Sequence, residues 1–167
     1  MRLVTGWMVA TLLLAQPGEI IDRVLAIVAG DVITLSDVVA ARDLGFVAPA
    51  SAGGDPSDAT REVLTALIER ALVLAEVERY APPEPASGEI DRRLQSIRVR
   101  FQTPEAFSAA LALAGLEDTH LRERLRQDLR IEAYLAERFA AAGRDALVRD
   151  WIAGLRRRSD IVDLYKP

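Results

Sequence analysis

Two carboxylates in the second half of the chain have a spacing that acid–base chemistry could use. Asp128 and Glu132 lie one turn apart on a predicted helix, and helical periodicity puts both within its apolar arc. Carboxylates held together on a buried face tend to share a proton, an arrangement that general acid–base catalysis exploits. The alternative is structural, with both residues forming ion pairs with arginines such as Arg23 or Arg70. Arginine suits buried ion pairs and supplies nearly all of the positive charge, so we favour the structural interpretation.

The other residue types that carry catalysis or bind metals are scarce. The chain has no cysteine, which excludes thiol nucleophiles and cysteine-based zinc sites. Its single histidine, His120, lies among charged residues of a predicted helix. No nucleophile-elbow, phosphate-loop or dinucleotide-binding glycine motif occurs. We therefore expect no catalytic residue, no metal site and no bound cofactor, and we predict that the protein is not an enzyme.

Length and composition favour one folded domain. The chain has 167 residues, of which 50% are hydrophobic, and this is enough for a substantial core. The formal net charge of -4 gives no sign of a nucleic-acid partner. Arginines cluster at 122–130 and at 156–158, but acidic residues interleave with them, which is typical of solvated helix faces.

The first residues are typical of a secretory signal peptide. Arg2 precedes an apolar run at 3–15, which the sequence Gln-Pro-Gly at 16–18 ends. The run is shorter than the roughly 20 residues that a membrane-spanning helix needs. A signal peptide over 1–15 is therefore favoured over an uncleaved anchor or a core helix. We expect a single domain over 16–167, exported and without stable membrane insertion after processing.

Patterning along the rest of the chain predicts a mainly helical fold. β-Branched runs at 20–28 and 32–34 flank a Gly-Asp turn and indicate a hairpin, after which Thr34 or Ser36 caps a first helix. A second helix at 59–80 is apolar on most sides, so it should be the central one among about six. The remaining predicted elements are a loop at 46–57, a third helix from Ser87, a fourth after Thr103-Pro104, a fifth at 118–142 closed by Gly143, a sixth at 145–158 and a C-terminal strand at 161–165 that joins the hairpin.

Several motifs, taken in order, resemble those of the SurA-type periplasmic chaperones. The opening IDRVLAIV at 21–28 and GDVIT at 30–34 is similar to the start of that family's N-terminal domain. LIERALVLAE at 67–76 resembles its long second helix. The likeness spans about 19–139. Further matching positions are EIDRRL at 89–94, Phe101, Phe107, Gly115-Leu116 and LRERLRQDL at 121–129.

The resemblance implies a chaperone fold without an isomerase. In that family the helical part binds unfolded segments of outer-membrane proteins, and parvulin prolyl-isomerase domains are inserted before a returning helix and strand. Here residues 140–144 join the fifth helix directly to the helix of Trp151, and the parvulin signature motif is missing. Residues 145–165 are then the returning helix and strand, and the expected location is the periplasm.

The expected partners are unfolded or extended polypeptide segments. Four apolar residues are the candidates for binding these clients: Phe46, Phe101, Phe107 and Leu111. The alternative for each of them is a place in the core. A different class of function also stays open, in which the chain is an interaction or assembly subunit of the cell envelope, or a homodimer paired through its terminal strand.

Export is the first testable prediction. The short basic and apolar regions, followed by helix-breaking Pro17-Gly18, predict that the mature chain starts near Gln16 and lies outside the cytoplasm. N-terminal sequencing of the protein purified from its own host measures this. An intact Met1 on soluble cytoplasmic protein would contradict the prediction.

Overall fold

A computed structural model describes residues 22–50, 55–140 and 143–166. Within these ranges the chain is mainly helical, with a small three-stranded antiparallel sheet, so the predicted fold class is confirmed. The predicted signal peptide at 1–15 and the first residues of the predicted hairpin lie outside the described residues. The elements are β1 (Val24–Val28), β2 (Asp31–Thr34), α1 (Leu35–Asp43), α2 (Pro56–Tyr80), α3 (Ser87–Arg98), α4 (Pro104–Leu113), α5 (Asp118–Arg138), α6 (Arg144–Arg158) and β3 (Ile161–Asp163).

Strand β1 lies in the middle of the sheet, with β2 on one side and β3 on the other. The β1–β2 turn uses Ala29 and Gly30, both at positive φ, and β1 then pairs antiparallel with β2. On its other edge Val28 pairs with Ile161. The predicted joining of the terminal strand to the hairpin is therefore confirmed. The strand is shorter than 161–165. The backbone N–H of Leu164 still donates to the Leu25 carbonyl at 2.9 Å, but that of Tyr165 donates to the Asp163 carboxylate at 3.0 Å.

The helix starts follow from side-chain caps. Thr34 caps α1 and forms a reciprocal capping box with Asp37, and Thr103 caps α4 ahead of Pro104, as predicted. Helix α2 begins earlier than the predicted position 59, because Asp55 accepts a hydrogen bond from the backbone of Ser57 and Pro56 fits the first helical turn.

The predicted end of the fifth helix is wrong. Helix α5 stops at Arg138, and Phe139 leaves the helical conformation with φ -123 and ψ 64. The Phe139 ring packs 5.5 Å from the ring of Trp151 in α6. Gly143, predicted to close α5, stands instead at the N-terminus of α6 with φ 80. An aromatic contact, not the glycine, accompanies the end of this helix.

Two clusters of buried side chains form the core, and α2 is central to the larger one. In that cluster α2 packs against the sheet, α1, α5 and α6. The smaller cluster lies among the end of α1, α3, α4 and the first half of α5, and Phe46 packs against both. The main α2 residues of the larger cluster are Val63, Leu64, Leu67, Ile68, Leu72, Val73 and Val77; the smaller one contains Leu44, Leu94, Ile97, Phe107, Leu111, Leu121 and Leu125.

The returning helix should be essential for stability. Leu155 of α6 is 2% exposed, so Leu155→Ala should cost about 2–5 kcal/mol and lower Tm by about 4–20 °C. Leu147 on the same helix is 46% exposed, and Leu147→Ala should change the free energy of unfolding by at most about 0.5 kcal/mol. A chain ending at Gly143 should lose cooperative thermal melting. An unchanged melting temperature for that shortened chain would contradict the role assigned to α6 and β3.

Candidate functional site

The first candidate site is a groove beside the α3–α4 connection, here called the α3–α4 groove. It has a volume of about 540 Å³ and is lined by Val99, Phe101, Phe107 and Leu111 among others. A short connection joins α3 to α4, and the rings of Phe101 and Phe107 meet beside it. Their centroids are 5.3 Å apart in an edge-to-face arrangement, a favourable geometry for an aromatic pair.

This groove has an apolar floor and a charged rim. Phe107 and Leu111 are 6% and 8% exposed and form the floor, whereas Val99 is 67% exposed. On the rim the Arg98 guanidinium lies 5.4 Å from the centre of the Phe107 ring and donates to the Asp118 carboxylate at 2.9 Å. An apolar side chain could enter the groove while polar groups at its edge meet a polypeptide backbone.

Three of the four predicted client-binding residues meet in this groove, and Phe46 does not. The backbone N–H groups of Phe46 and Val47 both donate to the carbonyl of Ala41, at 2.8 and 3.1 Å, which fixes a tight turn after α1. Gly45 takes φ 69 there. The Phe46 ring is half-buried against both core clusters, under the Arg124 guanidinium at 4.4 Å. Its position in the described part of the loop is structural.

The second candidate site is a cavity of about 500 Å³, here called the inter-helix cavity. Helices α2, α3, α5 and α6 and the turn at Gly45–Val47 surround it. Its apolar walls include Phe46, Leu67, Ile97 and Ile152. Four arginines and three carboxylates also line it: Arg70, Arg93, Arg100, Arg124, Glu69, Asp128 and Glu132.

The structure separates the two carboxylates that the sequence placed together. Asp128 accepts a hydrogen bond from Arg70 Nε at 2.7 Å, with both side chains about three-quarters buried or more. Glu132 is 55% exposed and pairs with Arg93 of α3. The expectation that Glu132 lies on a buried face is therefore wrong. The Glu132 carboxylate turns instead to Arg93 of α3.

Arg23 is not a partner of either carboxylate. It donates to the backbone carbonyl of Lys166 at 2.9 Å and lies 5.9 Å from the ring centre of Tyr165. This placement follows from the β1–β3 pairing, which brings the two ends of the described chain together. Arg23 therefore holds the segment after β3 in place and does not pair with the carboxylates of α5.

Sequence reasoning missed Arg124 and Arg130, which were assigned to a solvated face. The Arg130 side chain is 5% exposed and reaches Glu78 at 2.6 Å. Burial and the nearby Arg70 lower the pKa of Arg124 to about 10, although Asp128 and Asp37 act in the opposite direction. The Nε of Arg124 is buried without a hydrogen bond to any described residue. Only the packing of α5 on α2 and α3 reveals this, because the local charge pattern looks fully solvated.

Other chemistry is sparse in the described part of the chain. His120 is exposed, and its Nδ1 accepts a weak hydrogen bond from the backbone of Glu117 at 3.4 Å. Among the described residues no group of three or more histidine, aspartate or glutamate side chains could hold a metal ion. None of the described helices combines the length and apolarity required to cross a membrane. A scan against protein-family models finds no match, and a search of curated proteins finds no significant relative.

The Arg70–Asp128 geometry predicts that the chain does not catalyse prolyl isomerisation. A carboxylate held by a guanidinium is a poor general base, so a peptide assay should show only the uncatalysed rate, which takes tens to hundreds of seconds. Asp128→Asn should leave that rate unchanged but destabilise the fold by about 1–3 kcal/mol, since a half-buried charge loses its partner. Glu132→Gln, at the exposed pair, is the control and should cost at most about 1 kcal/mol. An acceleration that Asp128→Asn abolishes would overturn the structural assignment.

Proposed function

We propose that this chain is a periplasmic holdase-like chaperone module that binds unfolded or extended segments of exported and outer-membrane proteins, without isomerase activity. The observation that carries the proposal is the α3–α4 groove, where an apolar floor opens to solvent beside the exposed Val99 and a charged rim. The motif order shared with SurA-type chaperones supports the same function. Export through the predicted signal peptide would deliver the chain to such clients.

The chemistry of the groove suits non-specific polypeptide binding. Apolar contact does not depend on a particular side chain, and Arg98, Asp118 and Gln95 at the rim offer donors and acceptors for peptide groups of any sequence. Each apolar side chain buried contributes about 1.5–3 kcal/mol, whereas association costs at least about 4 kcal/mol. A groove of this size therefore gives weak and reversible binding, which a holdase without ATP requires.

The proposal is tested by aggregation suppression. The mature chain should delay aggregation of several unrelated unfolded proteins, and Val99→Asp should remove most of that effect, because a charge then lies in the mouth of the groove. Val99 is 67% exposed, so the fold should tolerate the change. Leu147→Asp, on an exposed site of α6, is the matched control and should suppress aggregation as the unmodified chain does.

Two outcomes would contradict the holdase proposal. One is the absence of suppression with every client tested. The other is equal suppression by the Val99→Asp and Leu147→Asp chains, which would mean that the α3–α4 groove does not bind the clients.

A specific assembly subunit is the second candidate function, favoured by the outer face of the sheet. Ile27 of β1 pairs with Val32 on one side and with Val162 on the other, which forms an apolar row across three strands. Val32 is 52% and Val162 42% exposed. Such a row suits one complementary surface, such as a second copy of the chain. Two results would favour this function over the holdase. Sedimentation would show a dimer that Val162→Asp dissociates, and the chain would fail to suppress aggregation of several unrelated proteins.

A further inference from the structure

The described lining of the inter-helix cavity contains more arginines than carboxylates. Arg70 and Arg124 share the single carboxylate of Asp128, with Arg70 Nε at 2.7 Å and Arg124 Nε at 3.9 Å. The shorter distance is a hydrogen bond, and the longer one is only an electrostatic contact. The Arg124 side chain is 21% exposed, and its buried Nε finds no acceptor among the described residues. Burying a guanidinium without hydrogen-bond partners is costly, so an anion beside it would be stabilising.

The remaining charges of the cavity do not compensate Arg124. Arg93 pairs with Glu132, and Glu69 lies 3.6 Å from Arg156 outside the cavity lining. Arg100 is exposed, and within the described part of the chain its hydrogen bonds go to backbone carbonyls, those of Gly45 at 3.0 Å and Leu44 at 3.5 Å. Among the described residues, the Arg100 guanidinium on the cavity wall has no carboxylate partner, and that of Arg124 has only the 3.9 Å contact with Asp128.

The shape and lining restrict the class of anion. A cavity of about 500 Å³ holds a small, drug-sized ligand, and much of this wall is aliphatic or aromatic. A bare inorganic ion would leave the apolar wall uncovered. A planar carboxylate matches the fork of a guanidinium, and an apolar body attached to it would cover Phe46, Ile97 and Ile152.

We propose that the inter-helix cavity binds the free C-terminal end of an apolar polypeptide segment, with Arg124 and Arg100 facing its terminal carboxylate. The choice of a polypeptide rests on the proposed chaperone function; the carboxylate and the apolar body rest on the charges and walls of the cavity. The C-terminus is the place in a polypeptide where a main-chain carboxylate directly adjoins apolar side chains. A cavity of about 500 Å³ is large enough for about the last two or three residues of a chain.

Calorimetric titration of the mature chain tests this with two N-acetylated Leu-Val-Phe tripeptides, one ending in a free carboxylate and one in an amide. The acid should bind at least about tenfold more tightly than the amide, because a charge-assisted hydrogen bond to a half-buried guanidinium is lost in the amide. Arg124→Gln should remove this preference. Arg93→Gln is the matched control and should preserve it, since Arg93 already has Glu132 as its partner. Thermal melting curves identify a variant that fails to fold. In that case Arg124→Lys is used instead: it keeps the positive charge but loses the bidentate guanidinium, so it should retain only part of the preference for the acid over the amide.

The outcomes separate this inference from the holdase proposal. Equal binding of acid and amide, or a preference that Arg124→Gln leaves intact, would overturn the inference even if the chain suppresses aggregation. Decanoate, a carboxylate with an apolar body but no peptide groups, is the non-peptide probe. If decanoate binds in an Arg124-dependent way and the acid peptide does not bind, the proposed polypeptide ligand is wrong. An acid preference that survives Val99→Asp supports a site separate from the α3–α4 groove, whether or not aggregation suppression is found.

Discussion

Strand β1 is held between two strands that come from opposite ends of the described chain. Val28 pairs with Asp31 on one side and with Ile161 on the other, and β3 follows α6 after only two residues. The ladder therefore fixes where α6 can lie, and α6 packs on α2. Ile152 of α6 in turn forms part of the wall of the inter-helix cavity. A cavity made by helices from both halves of the sequence depends on this one pairing, which closes a long loop of chain.

Helix α5 carries the electrostatic consequence of that packing. Its arginines recur at short intervals, so some must turn inward when the helix is buried on two sides. Arg130 is compensated, because Glu78 from the last turns of α2 comes within 2.6 Å of its guanidinium. Arg124 has only a 3.9 Å contact with Asp128, because the Asp128 carboxylate already binds Arg70 at 2.7 Å. Both arginines are largely buried on the same helix, yet they differ in how close a carboxylate comes to them. The number and distance of carboxylate partners, and not burial alone, therefore decide which arginine could bind an anion.

How far the sequence could predict this structure depends on the range of the interactions. The cap at Thr103 and the central apolar helix depend on local turn chemistry and periodicity, and both are found. The joining of the terminal strand is a long-range contact, expected from the alternation along β1 and from the resemblance, and it is found as well. Glu132 was misplaced because helical periodicity tells which side of α5 a residue is on, but not which helix covers that side. Arg124 was missed for the same reason, since its neighbours in sequence suggest a solvated face while its neighbours in space are Phe46 and Arg70.

Phe46 illustrates why an aromatic residue in a predicted loop need not be free to move out and meet a client. Its ring contacts both core clusters and lies under Arg124, so withdrawing it to meet a client would open the packing on two sides and expose a cation. The α3–α4 groove differs, because its floor residues Phe107 and Leu111 are already buried, whereas Val99, Pro104 and part of Phe101 have apolar surface that a ligand can cover. A ligand there gains little from the floor, so its binding energy comes from the few exposed apolar side chains and the rim, and it remains small. Binding on a preformed surface requires no rearrangement of the fold. Because the binding is also weak, the client can dissociate without a source of energy such as ATP.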